Sequence, residues 1–311
     1  MITPNKENGI WMIAGAVIMI LLFLVVFHFY QKQNPAEQLA FKANRANLVS
    51  RMQLALASAS EAEKSAVLAI TDKDSQIFAD QARKSSADVE QARRELGQLL
   101  KSGGTQRENE LFNQFSDLFT EFQRIDTELL NLAVKNTNVK AYNLAYGPAT
   151  AALHETNAAL SHLIASTAGS PEEKQVMMLA YGAETSALRI QTLIPPHIAE
   201  ESDQKMDELE ARMSREDKQI RKNLNELTAL AKLNQNANIA AALLSYARFS
   251  KIKTQILALS RENTNVKSLS ISLNQKRKVM LLCQDTLNKL QRAIMEEPIA
   301  GVTYGRPARP R

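Results

Sequence analysis

Apolar residues return at alternating steps of four and three along most of the chain, the spacing of helices that bury one face against neighbours. The first such seam is Leu48, Met52, Ala55, Ala59, Ala62, Ala66 and Ala69, and its alanines admit close approach of another helix. The pattern is sharpest at Leu111, Phe115, Leu118, Phe122, Ile125, Leu129 and Leu132, and it resumes as Tyr142, Tyr146, Ala149, Leu153, Thr156, Leu160 and Leu163. A last seam runs Leu269, Leu273, Lys276, Met280, Cys283, Leu287, Leu290 and Ile294, with a lysine where an apolar residue belongs.

The breaks between seams carry their own chemistry. Thr71-Asp72-Lys73-Asp74 supplies N-cap candidates, so helices are expected over about 35–70 and 75–100. Ser102-Gly103-Gly104-Thr105 reads as a glycine C-cap followed by a threonine that caps the next helix. Ser170-Pro171-Glu172-Glu173 restarts the chain with a cap, a proline at the first helical position and a glutamate three after the cap. Ile194-Pro195-Pro196-His197-Ile198 reads as a turn, after which a charged helix is expected over about 203–232, another from near Asn238, and a last one to about Met295. Pro148 and Lys276 each interrupt a seam, as an irregularity or as the mark of a polar pocket.

Residues 10–30, IWMIAGAVIMILLFLVVFHFY, differ from all of this. They contain no Asp, Glu, Lys or Arg, and about 20 apolar residues span a hydrocarbon core of about 30 Å. Trp11 and Tyr30 stand at the two ends as membrane-interface anchors. The apolar run exceeds that of a cleaved signal peptide and lacks a small-residue cleavage site after it, which favours an uncleaved anchor. Lys6 precedes the stretch and Lys32, Lys42 and Arg45 follow it, so charge counting alone admits a cytoplasmic bulk.

The chain contains one pentapeptide twice. Asn136-Thr137-Asn138-Val139-Lys140 returns as Asn263-Thr264-Asn265-Val266-Lys267, at an offset of 127 (263 minus 136). Phe122, Ile125, Thr127, Leu130 and Leu132 meet Phe249, Ile252, Thr254, Leu257 and Leu259 at the same offset. A weaker echo pairs Glu63-Lys-Ser-Ala-Val with Glu184-Thr-Ser-Ala-Leu, at an offset of 121 (184 minus 63). The chain therefore reads as two copies of one helical unit. The pentapeptide is the turn between the third and fourth helices of each copy. Asn tolerates the left-handed conformation that closes a helix, and Thr or Asn caps the next one. Asn136, Thr137, Asn138, Asn263, Thr264 and Asn265 are accordingly assigned as helix-capping turns, with a ligand-contacting role for Asn136 and Asn263 as the alternative.

The expected fold is all-α: an N-terminal transmembrane helix followed by two tandem up-down-up-down four-helix bundles. The expected division is a short tail at 1–9, the membrane helix at 10–30, bundle one at 34–166, bundle two at 170–297, and a disordered Arg/Pro tail at 298–311.

Composition agrees with long helices, for only 10 glycines and 9 prolines occur in 311 residues. The one cysteine, Cys283, excludes an intramolecular disulfide and sits on a seam as a small buried hydrophobe. The net charge of +5 is dispersed among carboxylates without a basic stripe, which argues against nucleic acid as a partner. No phosphate loop or nucleophile elbow is present, and His154 and His162 are separated by about 12 Å of helical rise, too far for one metal ion. A solvated face accounts for them. Catalysis, a bound metal and a cofactor are therefore not expected.

A membrane helix leading into a four-helix unit resembles the sensor domain of methyl-accepting chemoreceptors. Glu63 to Ile70 followed by Thr71-Asp72 is similar to that family's first interhelical junction, and Leu129-Leu130-Asn131-Leu132-Ala133 with the turn and Ala141 onward is similar to its third. The likeness covers about 33–164 and, more faintly, 176–294. It implies a bundle outside the cytoplasmic membrane that binds small molecules or a binding protein. No second membrane span, linker domain or signalling hairpin follows Ile294, so signalling is expected to pass through a partner. The expected function is that of a single-pass, periplasmic-facing sensory or ligand-binding protein; the alternative is a scaffold of the cell envelope that holds other proteins, or itself, by its helices.

Overall fold

The computed structural model describes Met19 and residues 35–230 and 236–299. Residues 10–30, with Trp11 and Tyr30, lie outside the described residues apart from Met19, as does the Arg/Pro tail from 300 on. Among the described residues the fold is all-α, and no helix is long and apolar enough to cross a membrane.

The helices are α1 (Pro35–Leu68), α2 (Asp72–Gly103), α3 (Gln106–Ala133), α4 (Thr137–Leu144), α5 (Thr150–Ser166), α6 (Glu173–Ala199), α7 (Asp203–Ala229), α8 (Ala237–Glu262), α9 (Thr264–Ile271) and α10 (Arg277–Glu296). A π-helical turn joins α4 to α5 at Ala145–Ala149, and another joins α9 to α10 at Ser272–Lys276. The two π turns stand at the same offset as the pentapeptides, and they are what the interruptions at Pro148 and Lys276 signified. Pro148 lacks the N–H and the clearance that an α turn needs, and the wider π turn accommodates it.

Several boundaries follow the local chemistry. Thr71 caps α2 through the Asp74 N–H at 3.0 Å. Thr105 and Glu108 form a capping box, Glu108 N–H to Thr105 Oγ1 at 3.2 Å and Thr105 N–H to Glu108 Oε2 at 2.9 Å. Two expectations are corrected. Ser170 makes no cap, and its Oγ is buried without a partner; α6 begins later, and Glu173 reaches back to the Gly169 N–H at 2.7 Å. Residues 194–198 are not a turn: α6 continues through Pro195 and Pro196 to Ala199. Tertiary donors take up carbonyls near these prolines, among them Ser260 Oγ to the His197 carbonyl and Asn138 Nδ2 to that of Ile198. The weaker sequence echo does not hold at the helix ends either, since Leu68 and Ala199, which end α1 and α6, stand at an offset of 131 (199 minus 68).

The described chain forms two compact units, and these do not follow the tandem halves. Unit one draws on residues up to 58, on 85–120 and on 281 onward; unit two is 59–84 and 121–280. α1, α2, α3 and α10 contribute to both.

In unit one, four helix segments surround Leu48, Met52, Leu56, Val89, Leu96, Phe115, Phe119, Cys283, Leu287 and Ile294, all buried. Phe115 and Phe119 stack with centroids 5.6 Å apart. On α1, Gln53 donates to Asn288 of α10 at 2.9 Å. In unit two, the main core joins Ala152, Leu160 and Leu163 of α5 to Ile190 and Ile194 of α6, Leu224 of α7, and Phe249 and Ile256 of α8. A second core in unit two packs Ala66, Val67, Ala79, Leu129 and Leu130 with Ile271 of α9.

The fourth helices of the two sequence copies are thus exchanged. α4 and α5 pack with the second copy's helices, while α9 and α10 meet α1 and α3. Both fourth-helix seams carry apolar residues at the same steps, so periodicity alone did not distinguish this from the tandem arrangement.

Candidate functional site

The exchange brings all six sequence-assigned turn residues to one place in unit two. Asn136 and Asn263 both adopt the left-handed conformation, with φ 50° and ψ 39° and with φ 54° and ψ 40°. Neither α4 nor α9 receives a side-chain cap from its own N-cap residue. The caps come across instead. Thr137 N–H donates to Thr264 Oγ1 at 3.2 Å, and Thr264 N–H to Thr137 Oγ1 at 3.1 Å. Asn138 N–H donates to Asn265 Oδ1, and Asn265 N–H to Asn138 Oδ1, both at 3.1 Å. Each helix start therefore has its free amides satisfied by the other copy's turn. Thr137, Asn138, Thr264 and Asn265 thus accept amides of the other copy's turn, a pairing that sequence alone does not reveal because it does not place the two turns face to face.

A second layer of amides closes the crossing. Asn138 Nδ2 donates to Asn263 Oδ1, and Asn265 Nδ2 to Asn136 Oδ1, at 2.7 and 2.9 Å. Asn263 Nδ2 reaches the Glu200 carbonyl at 2.7 Å, whereas Asn136 Nδ2 is buried without a partner. The pseudo-twofold symmetry is broken there.

The second π turn carries a buried charge cluster that the seam only hinted at. Lys276 Nζ bonds Asp126, lies 3.9 Å from Glu63 Oε2 and sits 3.9 Å from the Phe122 ring centre. Burial pushes the Glu63 carboxyl up, against the pull of Lys276, and Glu63 Oε1 has no partner. In the other copy Ala149 occupies the position of Lys276, beside Phe249, where a cavity of only about 20 Å³ remains.

Two more polar groups lie in unit two. His197 is fully buried between Ser260 Oγ (2.8 Å from Nδ1) and Glu210 Oε1 (2.9 Å from Nε2). Burial pulls its pKa down, against the pull of Glu210, while the Ser260 hydroxyl gives its one proton to the His197 carbonyl at 3.0 Å. The Ser–His–Glu order resembles a hydrolytic triad, but Ser260 and His197 have 0% exposure and no substrate can reach them. Asp217 accepts from Tyr246 (2.6 Å), Arg221 (2.7 Å) and Lys253 (2.9 Å). Burial opposes its ionisation, yet these bonds prevail and hold the carboxyl down at about 2.

A cavity of about 560 Å³ belongs to unit one. It is lined by Glu37, Gln38, Phe41 and Arg45 of α1, Ser102 and Gly103 of α2, and Glu297, Pro298 and Ile299 after α10. Arg45 is 2% exposed, bonds Glu108 at 2.5 Å and Glu297, and lies 4.7 Å from the Phe41 ring centre. Its Nε has no partner. Lys42 Nζ holds the carbonyls of Met295 and Glu297 at 2.6 and 2.7 Å, a cation at a helix C-terminus. Sequence analysis missed this site, although it had noted Lys42 and Arg45 for their charge. His154 and His162 are exposed, and among the described residues no group of three or more His, Cys, Asp or Glu could hold a metal.

Two tests follow from these geometries. Thr137→Ala and Thr264→Ala should each cost about 1–3 kcal/mol, because each strips an acceptor from a buried amide of the other copy. A double-mutant cycle should show coupling of about 0.5 kcal/mol or more, measured by chemical denaturation; additive effects would mean that the two turns are independent. For Asp217 the folded pKa lies below the ordinary 3.8, so its stabilisation is complete above pH 4 and is lost as pH falls towards 2. Asp217→Asn should flatten the fall of the melting temperature in that window, and an unchanged slope would contradict the assignment.

No protein-family model matches the chain, and no curated protein matches it.

Proposed function

We propose that the protein is a membrane-anchored sensory or ligand-binding protein resembling a chemoreceptor ectodomain, single-pass and with its bulk outside the cytoplasm, which acts through a partner. The observation that supports this most is the 560 Å³ cavity, a volume that suits a small molecule. Its lining joins the first turns of α1 to the residues that follow α10. α1 begins five residues after the apolar stretch 10–30, so a ligand held between Phe41, Arg45 and Glu297 would bear on the helix nearest the anchor. The half-buried Glu297 carboxylate supplies an acceptor for it.

A scaffold role is the second reading, and one observation favours it. Met178, Tyr181 and Leu188 lie exposed on α6 with Thr185 between them, an unoccupied seam at steps of three and four.

Full-length protein in detergent, screened against small metabolites by thermal shift, should show a reproducible rise with at least one compound. Ser102→Phe, which fills the cavity mouth, should abolish that rise without lowering the unliganded melting temperature. A rise that persists in Ser102→Phe would place binding elsewhere, and a stoichiometric protein complex with no hit would favour the scaffold. A reporter active only outside the cytoplasm, fused after Arg311, should be active; silence there, with a bright cytoplasmic reporter, would reverse the topology.

A further inference from the structure

Unit two carries a second concavity, of about 280 Å³, between the antiparallel helices α6 and α7. Its lining is Arg189, Thr192 and Leu193 from α6 and Arg212, Arg215 and Glu216 from α7. On each helix these are positions i, i+3 and i+4, so two helix faces close on one space. Three guanidiniums face one carboxylate there, a formal balance of +3 and −1, or +2.

That imbalance contrasts with nearby arginines. Arg221 bonds Asp217 at 2.7 Å, Arg248 bonds Glu155 at 2.9 Å, and Arg261 bonds Glu210 at 2.7 Å. In the concavity Arg189 approaches Glu216 only to 3.5 Å, and Arg212 and Arg215 have no carboxylate partner among the described residues. Thr192 turns its hydroxyl onto the Arg189 carbonyl at 2.9 Å, and Leu193, 8% exposed, is the apolar member of the lining. The space therefore presents guanidinium donors, flat forks that match oxyanions two bonds at a time.

We propose that this cleft binds a compact oxyanion of two or more charges, a phosphate ester or polycarboxylate group. A monovalent anion gains little, because Glu216 already offsets one of the three positive charges. A divalent or larger anion matches the residual +2 and outcompetes the long Arg189–Glu216 contact. The proposal is independent of the cavity beside Arg45, and either can fail alone.

Calorimetric titration of the full-length protein in nonionic detergent, at constant ionic strength of about 0.15 M, tests it with pyrophosphate as the probe and acetate as the monovalent control. Pyrophosphate should bind at one site, and acetate should not. Arg212→Gln with Arg215→Gln, both exposed helix positions, should weaken binding tenfold or more with the melting temperature preserved. Glu216→Gln should tighten binding several-fold while Glu226→Gln, the same change of net charge outside the cleft, should not. Vesicles containing phosphatidic acid separate the sources: capture that pyrophosphate competes away supports a lipid headgroup as the ligand, and pyrophosphate binding without capture supports a free anion. Absence of pyrophosphate binding, binding unchanged in the double variant, or equal effects of Glu216→Gln and Glu226→Gln would overturn the proposal.

Discussion

Two helix starts cap each other. The amides of Thr137 and Asn138 have no acceptor in their own turn, nor do those of Thr264 and Asn265, and each pair takes its acceptors from the other. A buried N–H left without a partner costs about 1–3 kcal/mol, so the turns are held together once water is excluded. The exchange of α4–α5 and α9–α10 between the two sequence copies passes through this crossing. The carbonyls of Ile198 and Glu200, at and just beyond the end of α6, are tied to the same crossing.

Around this symmetric centre the two copies have diverged. Lys276, Asp126, Glu63 and Phe122 build a buried charge cluster at one π turn. At the other, Ala149 and Phe249 leave a small void. Asp126 corresponds to Lys253, which has turned to Asp217 instead. Breaking a buried charge pair costs several kcal/mol, whereas an apolar replacement of the whole set need not. The cluster therefore fixes which residues meet at that turn more than it adds stability. The cavity near Arg45 draws on both sequence copies, whereas the arginine cleft is lined by the second copy's α6 and α7.

The repeat, the left-handed asparagines and the helical class were legible because they are local: periodicity 3.6 and a tolerated φ are written in neighbouring residues. The exchange was not, since both fourth-helix seams offer apolar residues at the same steps. Residues 194–198 were misread because consecutive prolines signal a break, whereas α6 continues through them to Ala199, where Ser260 and Asn138 take up the terminal carbonyls of His197 and Ile198. Lys276 announced itself by interrupting a seam, but its partners Glu63 and Asp126 lie far off in sequence, on α1 and α3, where no local pattern connects them to it. Arg189, Arg212 and Arg215 carry no signal at all in a chain where exposed arginines are common.

The exchange of fourth helices is the central claim, and covalent trapping tests it most directly. In a Cys283→Ala background, Gln53→Cys paired with Asn288→Cys replaces a 2.9 Å contact between α1 and α10. Ser161 is the counterpart of Asn288 in the first copy, and it takes that place if the copies fold in tandem. Mild oxidation of dilute protein should close an intramolecular disulfide between 53 and 288 and leave the pair of Gln53→Cys with Ser161→Cys open. A disulfide at 53–161, with 53–288 reduced, would contradict the exchange.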